Sequence, residues 1–189
     1  MPKRVLVPIA SGTEEIEAAC IIDTLRRAGA DVTVASVETQ NLASLQITAS
    51  RGMKLVADAR ISDCMDQTYD CIALPGGMPG AEHLRDSAPL IEKLKQQKQA
   101  GRLYGAICAS PAVVLQPHGL LAKVKATCYP SMRGKLDPAY ACDEAVVVDG
   151  QCVTSQGPGT AIAFALKLVE LLFGARKARE VADAMLVQL

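Results

Sequence analysis

Short apolar runs, each followed by a stretch of helical periodicity, leave this chain few architectures. Arg4–Ile9, Val32–Val37, Cys71–Leu74 and Leu103–Ile107 are four to six residues long and largely apolar. Such runs read as strands buried on both faces, which is the habit of parallel sheets. Between them, Glu14–Ala28 sets Ile16, Cys20, Ile21 and Leu25 at helical spacing. Pro89–Ala100 sets Leu90, Ile91 and Leu94 inward, with Lys93, Lys95 and Lys98 outward, and Gly101 stops it. Thr13 is the expected cap of the first helix, with Glu14 and Glu15 in its first turn and Gly29 closing it. Leu45–Ala57 reads as extended chain broken by a turn at Ser50-Arg51-Gly52, and a helix is expected from about Ser110 to Leu115. Further on, Ala145–Val148 and Gln151–Thr154 flank Asp149-Gly150 as a hairpin. A long helix Thr160–Leu172 and a last helix Ala175–Leu189 follow. This order predicts an α/β fold, a three-layer sandwich around a mostly parallel sheet, with residues 1–189 as one domain.

Composition narrows the function. Lys and Arg number 20 against 20 Asp and Glu, and aromatics are 3% with no Trp. A neutral, aromatic-poor surface offers little to nucleic acid. No apolar stretch reaches the length of a membrane span, and no signal peptide is read at the start. Seven cysteines cannot all pair within the chain, no C-x-x-C occurs, and there are two His, which speaks against structural zinc. A reducing, cytoplasmic address is expected. No phosphate-loop or dinucleotide pattern opens a helix after a strand, so no cofactor is expected.

In an open parallel sheet, ligands bind beyond the C-terminal ends of the strands. Three candidate groups fall there: Glu17 after the first strand, Gly76-Gly77 after the Cys71 run, and Cys108 after the Leu103 run. Ala106-Ile107-Cys108-Ala109-Ser110 has small residues two before and two after Cys108, the spacing of a nucleophile elbow with Cys for Ser. Pro111 suits a first helical turn, and amide dipoles at such an edge favour a thiolate. The bland alternative is a buried thiol that packs as a small hydrophobe. Gly76 and Gly77 offer backbone N–H groups to an oxyanion, or simply a turn. Glu14 and Glu15 read as solvated, helix-favourable residues, whereas Glu17 lies on the buried stripe, where desolvation raises a carboxyl pKa. His83 and His118 read as structural or surface residues; His118, ten residues past Cys108, falls on the far side of the sheet.

The four segments Gly12-Thr13-Glu14-Glu15-Ile16-Glu17, Ile72-Ala73-Leu74-Pro75-Gly76-Gly77, Ala106-Ile107-Cys108-Ala109 and Thr154-Ser155-Gln156-Gly157-Pro158-Gly159-Thr160 occur in this order. Together they resemble the ThiJ/PfpI superfamily, in the branch of the parkinsonism-associated (DJ-one type) and bacterial ThiJ-like proteins. The resemblance spans essentially the whole chain. It implies a flavodoxin-like sandwich and a homodimer. Cys108 is then an oxidisable nucleophile and Glu17 its protonated partner, while Gly76, Gly77 and Ala109 line an oxyanion pocket. Arg51 matches an arginine that reaches the pocket from the dimer partner. The implied activities are glutathione-independent glyoxalase or deglycase chemistry on methylglyoxal, glyoxal or their early adducts, or else a redox-sensing chaperone role without turnover. Two positions depart from relatives. Ala109 stands where protease-like branches carry His, which disfavours a Cys-His hydrolase. Tyr129 stands where the parkinsonism-type proteins carry His; a phenol, with a reference pKa near ~10, is a poor base at neutral pH.

Overall fold

Val5, Leu6, Val7 and Ile9 of β1 (Arg4–Ile9) have no solvent exposure, which marks the middle of a sheet covered on both faces. The computed structural model describes residues 2–38 and 44–188. β1 pairs in parallel with β2 (Asp31–Ser36) on one side and β6 (Cys71–Leu74) on the other. β6 leads to β7 (Leu103–Ile107), and the final hairpin, β8 (Val146–Asp149) and β9 (Cys152–Ser155), joins through β9. A two-residue edge strand, β5 (Ala59–Arg60), completes the order β5-β2-β1-β6-β7-β9-β8, in which only the β8–β9 pair is antiparallel. A separate antiparallel hairpin, β3 (Gln46–Thr48) and β4 (Lys54–Val56), carries the Ser50-Arg51-Gly52 turn at its tip. This is the flavodoxin-like α/β sandwich expected, and no described helix is long and apolar enough to cross a membrane.

Right-handed crossovers put helices on opposite faces when strands step in opposite directions from the centre. The step from β1 to β2 carries α1 (Glu15–Arg27); the step from β6 to β7 carries α2 (Gly80–Asp86) and α3 (Ala88–Gln99). α4 (Ala161–Phe173) packs on α1, and α5 (Ala175–Ala184) on α4. Gly105 in β7 admits α4: a Cβ there would meet the buried Phe164 ring at 3.0 Å.

Several expectations need correction. Glu14, not Thr13, caps α1: its carboxylate accepts the Glu17 N–H at 2.7 Å. The Thr13 hydroxyl is taken by the preceding turn, where it accepts the Ala10 N–H at 2.9 Å. The buried stripe of α1 is rotated from the expected one. Glu17, Ala18, Ile21, Thr24 and Leu25 face in, Ile16 is 53% exposed and Cys20 is half-buried, because turning Glu17 inward turns its neighbour out. Lys93 is buried rather than outward, its ammonium donating to the carbonyls of Met65 and Gln67 at 2.6 Å each. Pro111–Leu115 is a π-type segment of five residues, not an α-helix. The tight turn of the last hairpin is Gly150-Gln151, one residue later than expected. The last helix stops at Ala184, and the expected terminus Leu189 lies outside the described residues.

Candidate active site

Cys108, directly after β7, has φ of 63°, a left-handed conformation that costs a side-chain-bearing residue about 1–3 kcal/mol and persists only where neighbours impose it. Two hydrogen bonds impose it here. The Cys108 N–H donates to the Ser155 carbonyl at 3.0 Å, and the Cys108 carbonyl accepts the Tyr129 N–H at 2.8 Å. Ser110 adds a third tie, its hydroxyl donating to the Pro75 carbonyl at 2.6 Å. Gly76 is needed for the approach of the two loops, since a Cβ on it would lie 2.7 Å from the Cys108 Cβ and 2.9 Å from the Ala109 nitrogen. The kink makes the thiol part of the lining of a cleft of about 340 Å³. Glu14, Arg51, Gly77, Ala109, Tyr129 and Met132 also line it.

The two glycines divide their work. The backbone N–H groups of Gly77 and Ala109 favour the Cys108 thiolate and draw its pKa down. The Gly76 N–H instead donates to Glu17 Oε2 at 2.7 Å, so it is not free for an oxyanion. Gly77 itself has φ of 89°, and a Cβ there would sit 2.4 Å from the Glu14 nitrogen, so this turn and the start of α1 are locked together.

Glu17 has no solvent exposure. Burial, with a smaller contribution from the charge of Glu14, pushes its carboxyl from 4.5 up to about 7, against hydrogen bonds from the Gly76 N–H and the Cys108 thiol. Its Oε1 has no hydrogen-bond partner among the described residues, and the titrations of Glu17 and Cys108 depend on one another. A buried oxygen in that position is satisfied when it carries a proton and donates to a thiolate. The thiol is not acidified in the way a helix edge alone would suggest. Burial, then the Glu17 charge, push it up to about 12, while the Gly77 and Ala109 amides pull it down. Between these two values the pair holds one proton. With that proton on Glu17, the repulsion is gone and the amides face a thiolate, which is the reactive arrangement.

Glu15 corrects a further expectation. It is 6% exposed, not solvated. Its Oε1 accepts the Arg51 N–H and its Oε2 the Ser50 hydroxyl, both at 2.7 Å. Burial pushes this carboxyl up, but the bonds from Ser50 and from backbone N–H groups outweigh it and hold the group below 4.5. Arg51 lines the Cys108 cleft. Tyr129, 44% exposed, lines the same cleft. His83 instead lies 3.8 Å from Glu38, and His118 is bonded to the Arg85 carbonyl at 3.0 Å; neither lines the cleft. All seven cysteines are unpaired, and burial pushes the Cys152 thiol up to about 12 and Cys128 up to about 11. Among the described residues no group of three or more His, Cys, Asp or Glu is placed to hold a metal ion.

Residues 3–171 match the profile of the DJ-1/PfpI family. Protein DJ-1 homolog A of Arabidopsis thaliana is 49% identical over 188 residues, covering 98% of this chain and 47% of that protein. The chain thus spans less than half the length of its curated Arabidopsis relatives. Glutathione-independent glyoxalase DJR-1.2 of Caenorhabditis elegans is 39% identical over 166 residues, covering 87% of this chain and 85% of that one. Among solved structures, Toxoplasma gondii DJ-1, described as oxidized, superposes with a TM-score of 0.96 at 51% identity, covering 99% of this chain and 100% of that one.

Proposed function

The chain belongs to the DJ-1/PfpI family, and on that premise we propose that it is a cofactor-independent glyoxalase with deglycase-type side activity, acting on methylglyoxal, glyoxal or their early adducts. The observation that carries this reading is the unpartnered oxygen of the buried Glu17 beside a kinked Cys108 at an open cleft. The glyoxalase name of the nematode relative supports the substrate class.

The Cys108 thiolate adds to the aldehyde carbon of methylglyoxal, forming a C–S bond while the carbonyl π pair moves to oxygen. The Gly77 and Ala109 N–H groups hold that oxyanion until the proton on Glu17 passes to it, which gives the hemithioacetal and leaves Glu17 a carboxylate. The Glu17 carboxylate takes the proton from the carbon bonded to sulfur and returns a proton to the neighbouring carbon, which converts the hemithioacetal into a thioester. Water cleaves the thioester, giving lactate and a proton and restoring the thiol, so the net reaction is methylglyoxal plus water to lactate plus a proton. A proton carrier poised near 7 suits both directions of transfer. Cys108→Ser should abolish lactate formation from methylglyoxal; turnover retained in that variant overturns the mechanism.

The second reading is a redox sensor with a chaperone or stress-response role, and the oxidized state of the Toxoplasma relative favours it. Mild peroxide should add about 32 Da, two oxygens, to the Cys108 peptide ahead of the other six thiols. Oxidation spread evenly over the cysteines counts against it. In either case residues 1–189 act as one cytoplasmic domain. A homodimer is part of the proposal. The exposed apolar side chains of Ile16, Met53 and Val56, on α1 and the β3–β4 hairpin, give a second copy something to cover, and sedimentation equilibrium tests it.

A further inference from the structure

The β3–β4 hairpin is fastened to the start of α1 by more than side-chain packing. The Gly12 N–H donates to the Thr48 carbonyl at 2.9 Å and the Ser50 N–H to the Thr13 carbonyl at 2.8 Å. Beneath the hairpin tip lies the Glu15 carboxylate, which uses both oxygens on two consecutive residues, Ser50 and Arg51. Glu15 does not line the Cys108 cleft, but Arg51 does. Gly52, with φ of 94°, ends the tip immediately after Arg51, so the backbone is anchored before the guanidinium and turns away after it.

We infer that Glu15 is a positioning residue: its carboxylate clasps the Ser50-Arg51 tip and so holds the Arg51 guanidinium at the mouth of the Cys108 cleft, giving the site a preference for negatively charged or oxygen-rich substrates. A long, exposed arginine left on a loose loop spreads its charge over a wide volume, whereas a pinned Cα restricts it to the mouth. Two charge-assisted bonds to a buried carboxylate are strong enough to fix such a tip, and no other acidic side chain bonds to Ser50 or Arg51 among the described residues.

The inference rests on Cys108 being the reacting group, and the test keeps the two apart. The rate of Cys108 alkylation is measured by peptide mass at low salt with iodoacetate, an anion, and with iodoacetamide, its neutral isostere. One positive charge facing an anion across about 6 Å of water-like dielectric changes the ratio of the two rates by about threefold. Arg51→Ala should lower the ratio by that factor. Glu15→Ala should lower it equally, with no further fall in the double variant, and Glu15→Gln, which keeps an acceptor for the Arg51 N–H, should restore part of it. An unchanged ratio in Glu15→Ala beside a lowered one in Arg51→Ala overturns the clasp, and so does an Arg51→Ala protein with the ratio of the parent. A general loss of folding would slow both reagents or expose all seven thiols rather than move the ratio. If iodoacetamide fails to label Cys108 in the parent, the proposed function falls, and the clasp is then judged from tryptic cleavage after Arg51. Cleavage faster in Glu15→Ala and Ser50→Ala than in the parent upholds it; equal rates overturn it.

Discussion

Replacing Glu17 by Gln should make the protein more stable and less active, with the size of the gain set by pH. In the unfolded chain this carboxyl titrates near 4.5; in the folded protein it titrates near 7. A difference of about 2.5 pH units, at about 1.4 kcal/mol each, is about 3 kcal/mol. The sign follows from which state holds the proton more tightly. Below pH 4.5 both states are protonated and the burial of Glu17 carries no charge penalty. As pH rises from 4.5 to 7 the unfolded chain ionises while the folded protein keeps its proton, so the stability is lost progressively; above 7 the folded state gives up the proton too, leaving a carboxylate in a site without solvent, and the loss is complete. Glu17→Gln has no proton to lose. Its amide oxygen accepts the Gly76 N–H, and its NH2 donates toward the sulfur. Urea denaturation at fixed protein concentration should therefore show parent and variant nearly equal at pH 4 and the variant more stable by up to about 3 kcal/mol at pH 8.5. Methylglyoxal turnover should fall by about 100-fold or more, the usual scale for a lost general acid or base. Equal pH dependence of the two proteins would refute the reasoning, because Glu17 would then titrate as an ordinary carboxyl.

Three other outcomes follow from local geometry. Cys108→Gly should be more stable than Cys108→Ala by about 1 kcal/mol in urea midpoints, the reverse of the usual order, because φ of 63° suits glycine. Gly76→Ala should cost about 2 kcal/mol or more in the same assay, since the atoms crowding its new Cβ belong to the Cys108 loop, partly backbone, and cannot swing away. Tyr129→His should raise kcat about tenfold near pH 7 and add an ionisation to the pH–rate profile, because it places a group of reference pKa near ~6.5 in the cleft.

The strands were legible because burial on both faces leaves an unbroken apolar run, as in Val5–Ile9. Cys108 and Glu17 were legible for a similar reason: an elbow and a buried stripe are patterns of near neighbours. What escaped depends on contacts distant in sequence. Glu15 looked like any glutamate in a first helical turn, and its partners lie 35 and 36 residues away. Lys93 sat on a polar face by periodicity, yet carbonyls from 26 and 28 residues earlier draw its ammonium inward. α2 escaped because only Ala81 and Leu84, with Gly80, are buried in its seven residues, too few to show a period. Gly76 and Gly77 were readable as a turn, but which N–H faces sulfur and which faces Glu17 is decided by the three-dimensional placement of α1.

The kink at Cys108 also says when the thiol can become useful during the life of the chain. Its conformation is held by the Tyr129 amide and the Ser155 carbonyl, both made after Cys108 itself. At synthesis rates of roughly 5–20 residues per second, the second of these appears some seconds after the cysteine. Until β9 docks beside β7, residue 108 has no reason to leave the relaxed conformations of an ordinary strand end, and its sulfur is not set against Glu17. A nascent or truncated chain thus carries Cys108 as an ordinary thiol, without the Gly77 and Ala109 amides or Glu17 set against it. The pairing of this thiol with Glu17 comes with completion of the sheet, and a change in the labelling rate of Cys108 would report the docking of β9 beside β7.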